Sequence, residues 1–134
     1  MRLMNPKLVY ESDRLFSVFG YSMSHGLLLL RSGKSNETPA TRVDILFQDV
    51  RSMETRVWFK GIRIEEVDDP QFLDGQRSNP AEMIEPGNKV YGLVSTGWRG
   101  FIVGGLVQFK EDDGELFGQC ALVSDAPVKR WTLL

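Results

Sequence analysis

The chain has one histidine and one cysteine, so any chemistry built on either must be local and simple. His25 sits between Ser24 and Gly26, a setting that reads as a turn. Its imidazole is the one side chain here whose ordinary titration falls near neutral pH, which makes it a weak candidate general base. Ser22 or Ser24, His25 and Asp44 could be assembled into a triad on paper. No Gly-x-Ser-x-Gly elbow accompanies them. Cys120 lies between Gln119 and Ala121, without the positive neighbours that make a thiolate, and is expected in the core as a small apolar group. Gly33-Lys34-Ser35 resembles the end of a phosphate loop, but the glycine required five positions earlier is Leu28.

Carboxylates cluster at Glu65-Glu66-Val67-Asp68-Asp69 and at Glu111-Asp112-Asp113-Gly114-Glu115. Such clusters suit hard cations, yet the second lacks the spacing of a calcium loop, and both read as solvated charge. One histidine and one cysteine do not make a zinc site. No metal or cofactor is therefore expected. The remaining chemistry is recognition. Arg51, Arg56 and Arg63 surround Trp58, and Trp98-Arg99 repeats the pairing at a turn. Arginine and tryptophan together are what protein interfaces use at their energetic centres, and these six residues are the candidate binding set. The competing explanation is arginine stems packed on aromatic rings at a sheet surface.

The elements that would position these groups are strands. Lys89 to Val123 is expected to be a three-stranded meander. A turn at Thr96-Gly97 sets Phe101 opposite Gly92 and Val103 opposite Val90. A second turn at Asp113-Gly114 sets Phe109 opposite Gly118, Val107 opposite Cys120 and Gly105 opposite Leu122. The other face, with Tyr91, Leu93, Ile102, Leu106 and Phe117, is half apolar and needs a cover. Earlier in the chain, Leu8-Val9-Tyr10 and Leu15 to Met23 read as strands. Leu27 to Arg31 reads as a strand buried on both faces, giving a hairpin across Ser24-His25-Gly26. Arg42 to Val50 alternates cleanly. Val57 and Phe59 are out of phase with Ile62 and Ile64, which predicts a bulge or bend at Gly61. Ser32 to Thr41 is a polar loop. Proline and glycine signals predict one or two short helical turns at 68–88, and the tail Val128 to Leu134, which ends in Trp131-Thr132-Leu133-Leu134, is apolar and needs a place to pack.

These features point to a mainly β protein, residues 1–134 forming a single antiparallel domain of about seven or eight strands. The expected form is a sandwich or a partly open barrel. The 134 residues carry 42% hydrophobic and 25% charged side chains, ordinary for a globular chain able to bury a core. A net charge of −2 with no basic block argues against nucleic acid. No stretch is long enough to cross a membrane as a helix, the start lacks the apolar core of a signal peptide, and the lone cysteine fits a reducing cytoplasm. With no catalytic constellation, the leading expectation is a non-enzymatic module acting by protein–protein contact or self-association. The alternatives are a small-molecule binder using room left at Gly92, Gly104, Gly105 and Gly118, and a small hydrolase or isomerase with His25 as base.

Overall fold

A computed structural model of the chain describes residues 7–34, 40–67 and 84–123. Eight strands fill most of them: β1 (Lys7–Ser22), β2 (Leu27–Ser32), β3 (Arg42–Gln48), β4 (Ser52–Glu54), β5 (Trp58–Val67), β6 (Lys89–Ser95), β7 (Trp98–Gly104) and β8 (Leu106–Asp112). They form one antiparallel sheet in the order β4-β7-β6-β5-β1-β2-β3-β8. Among the described residues there is no helix, and so none long and apolar enough to cross a membrane.

The sheet is not closed into a barrel: its ends, β4 and β8, do not pair with each other. It is rolled, and the chain itself shows how. β3 continues through Asp49–Arg51 into β4, while β7 continues through Gly104 and Gly105 into β8. The same two segments therefore lie side by side at both ends of the sheet. Between the paired positions Gln48 with Leu106 and Ser52 with Val103, four steps on one segment face three on the other. The extra residue is a bulge, and Asp49 takes φ 55° within it. Two backbone bonds hold the crossing, Gly105 N–H to Gln48 O at 2.9 Å and Arg51 N–H to Val103 O at 2.8 Å. A Cβ at Gly104 would stand 3.1 Å from the Gln48 carbonyl oxygen, so glycine permits the two backbones to meet here.

The inner face of the roll is one cluster drawn from six strands and the β3–β4 link, with Phe16, Leu28, Leu30, Ile45, Phe47, Ile64, Leu93 and Ile102 fully buried in it. Alternation explains the membership on each strand. On β5 the alternation breaks as expected: Phe59 points inward, then Ile62 and Ile64 do, with Gly61 at φ 80° absorbing the change of phase. Opposite it, β1 carries an extra residue between Ser12 and Leu15. That bulge also joins the two short strands expected at Leu8–Tyr10 and Leu15–Met23 into one strand of 16 residues.

The Thr96-Gly97 hairpin has the expected register, with Phe101 opposite Gly92 and Val103 opposite Val90. These valines and Phe101 form a smaller outer cluster with Val67 and Ile84. Tyr91, Leu93 and Ile102, expected on a half-apolar reverse face, belong to the main core instead. The second turn is different. Residues 113–123 are not a strand, and Phe109 faces Ile45 on β3 rather than Gly118. β8 pairs through seven successive positions with β3, from Arg42 with Asp112 to Gln48 with Leu106, and its other edge stays open because the carbonyls of 115, 116, 118 and 119 accept from Arg42 and Arg31 instead. The 113–123 segment instead lies as a strap across the outer face of β2 and β3, where Cys120 packs with Leu27, Leu29 and Leu46. The Pro86-Gly87 signal is a turn closed by Asn88 N–H to Glu85 O at 3.0 Å. The rest of the expected helical turns and the tail after Val123 lie outside the described residues.

Candidate functional site

Trp98 begins β7 on its inward side and closes one mouth of the roll. Its ring lies 5.1 Å from that of Phe59, which in turn lies 6.3 Å from Phe16. Two residues on, Gly100 is bare for a steric reason: a Cβ there would stand 2.1 Å from the Glu54 carbonyl oxygen of β4 and 3.0 Å from the Trp98 ring. β4 can thus press against β7, and the indole keeps its place. Arg56 lays its guanidinium over the outer side of the same indole, 5.7 Å from the centroid.

Trp58 opens β5 on the outward side, opposite Ser17 of β1. It is 66% exposed, and Val57 and Leu15 beside it are each 56% exposed. Val57 is anchored by its backbone, whose carbonyl accepts from Val18 N–H at 2.7 Å, so its exposed side chain is held by the sheet. Lys60 stands opposite Leu15. Arg56, Val57, Trp58, Lys60, Thr96 and Trp98 line an open groove of about 520 Å³. Of the six expected binding residues the fold thus gathers three: Arg56, Trp58 and Trp98.

The other three are elsewhere. Arg63 borders an adjoining groove of about 460 Å³ with Glu11 and Asp13. Arg51 is at the β3–β4 bend, 3.0 Å from Asp49 and 3.6 Å from Glu85. Arg99 is exposed at the position after Trp98, where alternation turns it to the other face of β7.

His25 is exposed at the β1–β2 turn, with Nδ1 2.9 Å from Ser24 Oγ and 3.3 Å from Ser22 Oγ. The third member of the paper triad is not with it. Asp44 pairs with Arg31 at the far end of β2, is 1% exposed, and is held by two arginines. The acidic clusters are likewise engaged: Glu66 with Lys89 at 2.9 Å, Asp112 with Arg42 at 3.0 Å, Glu115 with Lys34 at 3.2 Å. Among the described residues no group of three potential ligands stands close enough to hold a metal ion. Nor do three of the expected roomy glycines face open space. Gly104 and Gly105 are approached by the Gln48–Asp49 backbone and side chain, and Gly118 by Arg42.

The most elaborate polar cluster escaped the sequence reading. Arg31, 1% exposed, makes a two-point pair with Asp44, Nε to Oδ1 at 2.6 Å and an Nη to Oδ2 at 2.9 Å. Its other Nη donates to the carbonyls of Leu116 and Gly118 at 2.6 and 2.8 Å, and Phe19 lies 4.4 Å from the guanidinium. Arg42 grips Asp112 in the same forked way and donates to the Glu115 and Gln119 carbonyls. These two side chains fasten the strap. The available signal was Arg31 directly after four leucines and Asp44 between Val43 and Ile45: charges inside buried strands require partners.

Beneath the strap, burial pushes the Cys120 thiol up to about 11, with Asp44 beside it acting in the same direction. Asp112 is held below the usual carboxylate range by its bonds from Arg42, helped by the Gly114 N–H.

Compared with known protein families, with curated proteins and with solved structures, the chain gives no match.

Proposed function

We propose that the protein is a non-enzymatic binding module that acts through protein–protein contact, with the Arg56–Trp58–Trp98 surface as its working face. The observation that carries this reading is the exposure of Trp58, Val57 and Leu15 side by side where β1 meets the start of β5, with Trp58 opposite Ser17, Leu15 opposite Lys60, and the Val57 carbonyl accepting from Val18 N–H. Large apolar groups held out rigidly beside an arginine-covered indole lose little entropy on contact, which is what a recognition surface needs. Self-association is one form of the same reading.

A photo-crosslinking residue at position 57 is expected to give a discrete protein adduct in cells that express the chain. The same residue at position 110, on the exposed part of β8, is expected to give none. Sedimentation of the purified protein then separates a second copy from a different partner. A monomer that yields no adduct from position 57 overturns the proposal.

A further inference from the structure

We propose that the groove between Arg56, Lys60, Trp58 and Trp98 receives an acidic polypeptide segment bearing an aromatic or large apolar side chain. This partner chemistry rests on the protein-contact reading above.

The basis is how the chain spends its positive charges. On the strap side of the roll they are neutralised internally: Arg31 and Arg42 by Asp44 and Asp112, Lys34 by Glu115, Arg14 by Glu111 at 3.9 Å. Arg51 and Lys89 are also in ion pairs. Lys7 faces Glu66 across the ladder, Arg63 faces Glu11, and Lys110 faces Asp44. Those three make no ion pair with a described residue, but each has a carboxylate opposite it. Arg56 and Lys60 have neither an ion pair with a described residue nor an opposing acid: Arg56 rests on an indole and Lys60 faces Leu15. Among the described residues no carboxylate lines their groove. Glu54, close in sequence to Arg56, belongs to β4 and is not part of the lining.

An acidic protein of net charge −2 thus carries a local positive spot between two indoles. Apolar walls raise the strength of a charge pair formed there, so the local attraction for an acid at the groove acts at short range, where the small net charge is largely screened. Two cations are too few to follow a nucleic acid backbone. The 111–115 cluster of a second copy is a poor source of the acid, because its carboxylates at 111, 112 and 115 are engaged by Thr41, Arg42 and Lys34.

The test uses the full chain and three fluorescent probes: a glutamate–tyrosine random copolymer, polyglutamate and oligothymidylate. The wild type is expected to bind the copolymer best, with affinity falling as salt rises. Arg56→Glu with Lys60→Glu is expected to weaken this at least about ten-fold, as loss of a charged centre does. Lys7→Glu with Lys110→Glu makes the same change in net charge on exposed sites elsewhere and is expected to leave binding within about two-fold, since distant exposed charges are screened. Equal loss in the two double variants, preference for oligothymidylate, or no copolymer binding by the wild type each overturns the proposal. In the last case, an adduct from position 57 would leave the protein-contact reading standing without its acidic partner; no adduct would remove both.

Discussion

At the scale of single residues, the strongest commitment in the molecule is Arg31. A guanidinium that is 1% exposed has left water completely and is satisfied by one carboxylate, two carbonyls and a ring face. Replacing it with alanine leaves Asp44 buried with only the 3.8 Å ion pair to Arg42, so Arg31→Ala is expected to cost about 3–5 kcal/mol in denaturant unfolding, the range for breaking a buried pair on one side. Trp58 is the opposite case. It is largely exposed, and Trp58→Ser is expected to leave stability within about 0.5 kcal/mol while weakening whatever contact that face makes. Cys120 gives a pH test. The native thiol keeps its proton to about 11, whereas an unfolded thiol releases it near 8.5. Stability from this group is therefore whole below that lower value and is lost as pH rises toward the upper one. Cys120→Ala is expected to flatten the alkaline limb of the stability profile. The burial of Cys120 was legible from its neighbours. Its surroundings were not, because the arginines that shape them come from strands 78 and 89 positions earlier, and a charge buried by distant partners leaves no local trace.

Among elements, the strap shows how side chains can replace a ladder. Residues 113–123 use their carbonyls on Arg31 and Arg42 where a hairpin would have used them on β8. Gly114 allows this approach, since a Cβ there would stand 2.4 Å from the Arg42 guanidinium carbon. Gly114→Ala is expected to push the guanidinium off Asp112, costing about 1–3 kcal/mol as overpacking does, and to speed amide exchange across the strap first. Acid acts at the same place. Asp112 stays ionised in the fold below the pH at which the free carboxylate would protonate, so its contribution is present above the ordinary carboxylate range and is lost as pH falls through its lowered value. Asp112→Asn is expected to remove that part of the acid sensitivity. The two-residue Thr96-Gly97 hairpin and the phase change at Gly61 were both readable, because each is decided by side-chain alternation within a few residues. The Asp113-Gly114 turn misled for an equally physical reason: a hairpin signal fixes a turn, not the strand that follows it. Here the Gly114 N–H bonds back to Asp112 Oδ1 and the chain leaves the sheet.

For the whole molecule, an antiparallel β architecture followed from glycine, turn and alternation patterns, but its rolling did not. That depends on β3–β4 and β7–β8 being two bent segments laid along each other, and the bend is an Asp49 bulge against two glycines that reads in sequence only as a loop signal. The candidate site was readable as residue types, yet only the fold shows that Arg56, Trp58 and Trp98 converge while Arg51 and Arg99 do not. The crossing of those two segments also governs how the protein must come into being. Arg42 finds Asp112 across 70 positions, so the third strand made waits for the eighth. Until β7 and β8 emerge, β3 and β6 each present an unpaired, apolar edge to the cell, and loop closure of this length is slow. A chain ending at residue 96 is expected to aggregate instead of unfolding cooperatively, and adding β7 and β8 in trans to rescue it as a soluble complex. During synthesis the growing chain is thus exposed to mispairing for most of its length, and a chaperone that shields strand edges would be needed most just before the last two strands appear.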